Sequence, residues 1–536
     1  LNGLFSIVVW DRKSQEVTLA LDRYAGVRQL YYLQMPDRFI FATNIRLILA
    51  SGYITPEVDE DGLVEFFSIG RVLPPRCLFT AIKKLIPGHI LKCRKNEVSS
   101  RRVYGFSFSP KIRQESYHTI DSLFAESIRK NLVADKSPAF LLSGGLDSSL
   151  NVAMASRVYD RPVTTVSLGF GDDVYDESSH ARTVAEYFKA DHHVHILDSS
   201  DALEILPQLV WCEEEPIADT SSVPSYHLAG FAKKLADVVI AGDGPDHLWG
   251  RKYFMLQRFR LARLLLVPQI FRRLITSLAP VRFSSSYPVK VIQRLGQYAN
   301  KTVEEMYLEI LACELGNPHS LKFLPELLSR SFKNRWDNVS SIEGLIPDDI
   351  RDGFDRLVAF DFLVDGSFGV FTKFGKIAAE QSLGVREPYL DTQLVDFITH
   401  LPDEFRVRGS LRQRIMFSAE TKYLMRRNLA DKILPRESLQ KPKAGFTPPM
   451  TGWLREYFSR GNMNAEILLG KSLKQSGYFN IEYVEQLINE CRDGSRRDSS
   501  PLYMLLMFAL WYRIYINNPG TLKPSATLTE LISDQT

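Results

Sequence analysis

A chain of 536 residues has room for at least two domains with cores of their own, and 45% hydrophobic with 24% charged residues is an ordinary globular balance. A net charge of only +3 excludes a globally basic chain built for nucleic acid or for an anionic membrane surface. The cysteines (Cys77, Cys93, Cys212, Cys313 and Cys491) form no CxxC pair and no zinc spacing, which excludes a disulfide framework and predicts buried thiols in a reducing cytoplasm.

The first hundred residues read as β-rich, with short apolar runs (FSIVVW, VTLAL, LYYLQM, FIFAT) between turn clusters such as Pro36-Asp37-Arg38. The chain opens at Leu1 directly on a strand pattern, so it is expected to lack its natural N-terminus. Short helices are predicted at Ile45 to Ala50 and Gly62 to Phe67, a strand at His89 to Cys93, and a linker over Arg101 to Arg113. From Ser116 the rhythm becomes alternating helix and strand. Helices are predicted at Ile120 to Leu132, from Asp147, and at Ser178 to Phe188, Ala202 to Trp211 and Val223 to Leu235. The strands fall at Ala139 to Leu142, Val163 to Leu168, Val194 to Leu197 and Val238 to Ala241. Repeated βα units imply a parallel sheet covered on both faces, with ligands at the carboxyl ends of its strands. Tyr253 to Tyr515 reads as mostly helical, and the stretch after Asn518 as a frayed polar tail. The apolar stretch Leu261 to Leu278 is broken by Arg263, Pro268, Arg272 and Arg273, so no membrane span is predicted.

The strand at Ala139 runs into Ser143-Gly144-Gly145-Leu146-Asp147-Ser148-Ser149 and then a helix. Glycines let backbone approach an anion, and the N–H groups opening a helix point at it. Asp147 would repel a bare phosphate, which implies a metal ion between the two. No lysine follows the glycines, so this is not the loop of kinases and GTPases. SGGLDSS in this context resembles the pyrophosphate loop of enzymes that cut ATP between its α- and β-phosphates.

A second strand ends in Ala241-Gly242-Asp243-Gly244-Pro245-Asp246-His247-Leu248-Trp249-Gly250, similar to the SGEGSDELFGGY segment of asparagine synthetases. Val385-Arg386-Glu387-Pro388-Tyr389-Leu390-Asp391 resembles that family's VRxPFLD, Lys441-Pro442-Lys443-Ala444-Gly445-Phe446 its RPKxGF, and Glu215-Pro216-Ile217-Ala218-Asp219-Thr220-Ser221 its DEPFADSS. The N-terminal LNGLFSIVVWDRK, LALDRYAGVRQLYYL and LIPGH resemble the second half of its glutaminase domain.

The resemblance implies an α/β fold: a parallel-sheet ATP-pyrophosphatase domain with helical additions over 114–518. It is preceded over 1–105 by part of an αββα N-terminal-nucleophile amidohydrolase domain and followed by a polar tail over 519–536. It implies asparagine synthesis: ATP adenylates aspartate, pyrophosphate leaves, and ammonia, drawn from glutamine in the full-length protein, displaces AMP. Ser143, Gly144, Gly145 and Ser148 would hold the pyrophosphate with Lys443 opposite, Asp147 and Asp246 would bind Mg2+, and Leu141, Leu168, Ala241 and Gly242 would line the adenosine pocket. Asp243 would promote ammonia attack. The nucleophilic cysteine and the glutamine-holding segments of the family precede the region matching Leu1, so this chain is expected to use free ammonia. A homodimer is a further expectation.

Several residues depart from the family pattern. Asp243 replaces a glutamate, His247 another glutamate, and Lys373-Phe374-Gly375-Lys376 lacks the aspartate of KxDR. These departures keep open a different carboxylate acceptor, such as a peptide, a β-lactam precursor or a surface-polysaccharide sugar acid. A non-catalytic nucleotide-binding regulator is a third reading, which Asp147, Asp246 and Lys443 oppose. His192, His193 and His195 lie on a strand whose alternation splits them between faces, so no zinc site is proposed. Glu213-Glu214-Glu215 reads as a charge run at a helix end, and Arg258, Arg260, Arg263, Arg272 and Arg273 as a solvated helix face rather than a nucleic-acid track.

Overall fold

The computed structural model describes residues 2–24, 29–111, 116–132, 137–171, 176, 178–249, 307–308, 311, 326–329, 345–347, 349–350, 353–409, 420–440, 446–460, 463–496, 498–517, 524 and 526–533. The apolar stretch at 261–278 and its arginines, Cys313, Lys441 and Lys443 lie outside them.

The N-terminal strands are β1 (Ser6–Asp11), β2 (Glu16–Leu21), β3 (Tyr31–Gln34), β4 (Phe39–Ala42), β5 (Ile82–Lys84), β6 (His89–Arg94) and β7 (Glu97–Arg102). They form two antiparallel sheets, ordered β1-β2-β6-β7 and β4-β3-β5. Alternation along β2 turns Leu19 and Leu21 inward, where they meet Leu30, Leu85 and Leu91 between the sheets. Edge strand β1 leaves Val8, Val9 and Trp10 exposed. Helix Glu60–Ile69 starts on the Asp59 side chain, which accepts from Gly62 N at 2.6 Å, and stops at Gly70 in the left-handed conformation.

The second body is built on a parallel sheet of β8 (Ala139–Leu141), β9 (Thr164–Gly169), β10 (Asp191–Ile196), β11 (Val238–Ile240) and β12 (Gly384–Arg386), ordered β10-β9-β8-β11-β12. Period-2 alternation gives each face its own core. Ala139, Val166, Leu168, Val239 and Ala241 pack with helices Leu206–Glu213, Ser222–Lys233 and Phe371–Glu380. Phe140, Leu142, Val163 and Ile240 pack with helices Leu146–Val158 and Ser178–Tyr187. Strand order reverses between β8 and β11, the crevice where doubly wound sheets bind ligands.

The two bodies share a core. Phe79 meets Trp511 edge-on at 5.0 Å, Phe67 meets Phe508 at 5.7 Å, and Tyr24 meets Phe362 at 5.2 Å. Trp511 lies on helix Ser500–Trp511, whose residues from Pro501 onward are all buried. Among the described residues no helix is long and apolar enough to cross a membrane.

Three expectations are corrected. The linker at 101–113 begins inside β7 and then packs: Phe106 and Phe108 are buried, and the Phe106 ring lies 5.8 Å from Tyr24 and 4.9 Å from Phe362. Helix 202–211 is two helices, Ser199–Ala202, capped by Asp198, and Leu206–Glu213. The charge run does sit where helix Leu206–Glu213 ends. Glu213, Glu214 and Glu215 are all buried, because Arg46 and Lys376 meet Glu214 and Lys84 meets Glu215. The tail is anchored in part, since helix Leu528–Ser533 buries Leu528, whose N–H reaches Glu204 O at 3.0 Å.

Candidate functional site

The loop after β8 folds around two hydroxyls. Ser148 Oγ accepts from Ser143 N at 3.2 Å and donates to Gly145 O at 3.2 Å, while Ser143 Oγ accepts from Gly145 N at 3.3 Å and lies 3.1 Å from Ser148 Oγ. Gly144 has φ +77, and a Cβ there would stand 2.6 Å from His180 Cβ and 2.7 Å from Ala181 N, so only glycine fits between loop and helix. A Cβ on Gly145 would meet Ser143 Oγ at 3.2 Å, a tight contact with a side chain rather than with backbone. Helix Leu146–Val158 begins on Gly145 without a side-chain cap, leaving its first N–H groups to an anion.

The loop after β11 closes the other side of the crevice. Asn151 Nδ2 donates to Ala241 O at 2.8 Å and a Cβ on Gly242 would touch Ser148 N at 3.2 Å, so the two loops are in contact. Leu141 ends β8, Leu168 lies near the end of β9, and Ala241 and Gly242 follow β11. The predicted adenosine-lining residues therefore sit on three neighbouring strand ends.

Asp147 and Asp246 come together around one cation. Lys422 Nζ lies 2.5 Å from Asp147 Oδ2 and 2.6 Å from Asp246 Oδ1. Lys422 is buried and has left-handed backbone, φ 55 and ψ 34, at the start of helix Tyr423–Met425. Asp147 Oδ1 is buried and has no hydrogen-bond partner among the described residues, and Tyr389 Oη donates to Asp147 O at 3.0 Å. Two carboxylates spanned by one positive charge, with a lone oxygen left over, fit a hard divalent cation. Sequence reading missed Lys422, because no local motif marks a lysine brought in from far along the chain.

His247 leaves the crevice. Buried in the core, its Nδ1 lies 3.0 Å from Asp361 Oδ2 and 3.9 Å from Asp365 Oδ2. These three could hold a metal by spacing, yet Arg71 pairs with Asp365 at 2.8 Å and Tyr307 Oη donates to Asp361 Oδ1 at 3.3 Å. The cluster is an ion network that ties the loop of Asp246 to Arg71 of the N-terminal body.

Lys373 stays beside the DEPFADSS-like segment, 2.6 Å from Asp219 Oδ2 and 2.5 Å from Ser221 Oγ. Burial opposes ionisation of Asp219, but the charge and hydrogen bond of Lys373 outweigh it and hold that carboxyl below the usual range. The histidines of β10 go separate ways: His192 Nδ1 lies 2.9 Å from Thr165 Oγ1, His193 Nε2 3.1 Å from Asp191 Oδ2, and the His195 ring stacks on Phe231.

Residues 119–513 match the family described as asparagine synthase, and residues 1–104 match the glutamine amidotransferase domain. A glutamine-hydrolysing asparagine synthetase of Bacillus subtilis is 23% identical over 523 residues, 96% of this chain and 78% of the relative. A putative asparagine synthetase of Mycobacterium tuberculosis is 26% identical over 533 residues, 97% of this chain and 77% of the relative. An amidase of Gibberella zeae is 29% identical over 273 residues, 47% of this chain and 40% of the relative.

Proposed function

Because this chain belongs to the asparagine synthase family, whose members are ATP-dependent carbon–nitrogen ligases of the glutamine-hydrolysing type, we propose that it adenylates aspartate with ATP, releases pyrophosphate, and lets ammonia displace AMP to give asparagine. The observation that carries this reading is the meeting of Asp147 and Asp246 at the switch point, beside an uncapped helix start.

A carboxylate is a poor electrophile and needs a good leaving group, so the charge of departing pyrophosphate has to be spread over donors. Ser143, Gly144, Gly145 and Ser148 supply hydroxyl and N–H groups, and Lys443 supplies charge from the KPKAGF segment. Asp147 and Asp246 would hold Mg2+, which when bound neutralises phosphate oxygens and polarises the α-phosphorus. Lys422, which lies between the two carboxylates, would supply a further ammonium beside the phosphates. Leu141, Leu168, Ala241 and Gly242 bound the adenosine. Asp243, at the end of β11, promotes the attack of ammonia on the adenylate. The four described cysteines are free and buried, which suits a reducing cytoplasm.

A second reading keeps the chemistry and changes the acceptor. Asp243 and Gly375 depart from the family pattern, and one relative bears an amidase name. The test is pyrophosphate release with ATP, Mg2+ and ammonium, screened across carboxylates with aspartate first. Release with aspartate, lost in Asp147→Asn and in Asp246→Asn, supports asparagine synthesis. Release with another carboxylate alone supports the second reading, and a variant with near-normal activity at limiting Mg2+ sinks the paired-ligand assignment.

A further inference from the structure

β11 and β12 run parallel with Ile240 opposite Arg386, and Ala241 N–H donates to Arg386 O at 2.9 Å. The residues that leave these two strands therefore emerge side by side at the carboxyl end of the sheet: Gly242-Asp243 from one, Glu387 from the other. Gly244, with φ +110, brings the first loop against the second, where a Cβ would lie 3.1 Å from Leu390 Cδ2 and 3.3 Å from Tyr389 Cβ.

Glu387 is only 4% exposed, and neither of its carboxyl oxygens has a hydrogen-bond partner among the described residues. A carboxyl kept for structure is bonded when buried, because an unbonded one costs desolvation with no return. Burial pushes this group well above the usual carboxylate range, and the like charges of Asp243 and Asp22 push it further. Asp22 already accepts from Phe5 N at 2.9 Å and Tyr24 N at 2.7 Å. Asp243 is the neighbour that belongs to the reacting site.

We propose that Glu387 is a second proton-handling carboxyl of this site: with Asp243 it forms a pair on adjacent strand ends that holds one proton and takes up the proton released as nitrogen attacks the acyl adenylate. The assignment rests on the adenylation reading. The nitrogen lone pair forms the C–N bond, and the C–O bond to AMP breaks with its electrons on the phosphate. One N–H proton passes to the ionised member of the pair, whose partner stays protonated, and solvent later receives it. The pair answers the shortened reach of Asp243, since Glu387 adds a longer side chain at the same place. A buried pair also has a proton affinity closer to that of an amine than a lone exposed carboxylate has, which favours the transfer.

The experiment separates the half-reactions in the full chain. Carboxylate-dependent exchange of pyrophosphate into ATP reads adenylation. Hydroxamate formation reads nitrogen attack, with hydroxylamine as a nucleophile that stays unprotonated through neutral and alkaline pH. In the wild type hydroxamate formation should rise with pH as the pair passes from two protons to one. In Glu387→Gln, exchange should fall less than about threefold, hydroxamate formation about 100-fold, and the alkaline rise should vanish; Glu387→Asp should restore part of that rise. A Gln variant with wild-type hydroxamate rate and pH profile overturns the proposal. Equal loss of both half-reactions in Glu387→Gln overturns it too, by assigning Glu387 a structural role. A wild type that exchanges no pyrophosphate with any carboxylate instead overturns the adenylation reading, and this proposal with it.

Discussion

Lys422 stands between two carboxylates that are also the proposed metal ligands, so removing it has opposite effects with and without the ion. Lys422→Met removes the ammonium that lies between Asp147, largely buried, and Asp246, at an expected cost of about 2–4 kcal/mol in the metal-free protein. Added Mg2+ should then raise the Tm of the variant more than that of the wild type, because no ammonium competes for the site. An equal Mg2+ response in both would separate the carboxylates from the metal. Glu213 supplies a prediction of a different kind. Burial raises its carboxyl from 4.5 to about 8, so between those values the folded chain binds a proton that the unfolded chain has lost. Stability contributed by this group is present below 4.5 and drains away as pH rises toward 8. Ser222 Oγ donates to Glu213 Oε1 at 2.7 Å, a bond that an amide keeps, while Oε2 has no partner among the described residues. Glu213→Gln is therefore expected to raise Tm by a few degrees at about pH 9 and to change it little at about pH 4. A gain that is the same at both would show that Glu213 titrates normally.

The loop after β8 was legible because everything that defines it is local: a buried strand, two glycines, a carboxylate and the start of a helix within a dozen residues. Its glycines are also distinguishable by experiment. Gly144→Ala meets the backbone of Ala181 and a forbidden φ, and is expected to cost about 1–3 kcal/mol of stability. Gly145→Ala meets the Ser143 hydroxyl at 3.2 Å and no backbone, so Tm should fall less than in Gly144→Ala while a methyl group blocks the approach of pyrophosphate and ATP-dependent turnover collapses. Equal loss of Tm in both would mean that Gly145 serves the fold and not the phosphates. Lys443→Ala should cripple pyrophosphate release and Lys441→Ala should not, and similar losses would make both ordinary loop charge. The elements that could not be read are those defined by distant partners. Glu213-Glu214-Glu215 has the composition of a solvated run, and only Arg46, Lys84 and Lys376, far away in the chain, turn it inward. Glu387 lies inside a recognisable VRxP segment, yet the like charges that act on it, Asp243 after β11 and Asp22 of the N-terminal body, come from far away in the chain. Phe106 and Phe108 alternate with small residues in what reads as a linker, and the anchors of Phe106, Tyr24 and Phe362, come from opposite sides in sequence.

On the scale of the whole molecule the boundary near residue 105 divides the sequence better than it divides the core. Gly70 O accepts from Ala218 N at 2.9 Å, Glu215 Oε1 accepts from Leu78 N at 2.7 Å, and Arg71 reaches Asp365. Trp511→Ala removes an aromatic that touches both bodies and donates from Nε1 to Glu214 O at 2.9 Å. It is expected to cost about 3–5 kcal/mol and to open both bodies to protease in one transition. Two separate transitions, with the parallel-sheet body unaffected, would show that the bodies fold independently. The shared core also sets a timetable on the ribosome. Phe79 leaves the peptidyl transferase centre early, but its partner Trp511 is added only after some four hundred more residues, roughly 20–90 s at ordinary rates of synthesis. For that interval the apolar surface around Phe79 lacks helix Ser500–Trp511, so part of its custody falls to chaperones. Yield of this protein in a cell should therefore follow chaperone supply and the speed of translation more closely than the equilibrium stability of the finished fold.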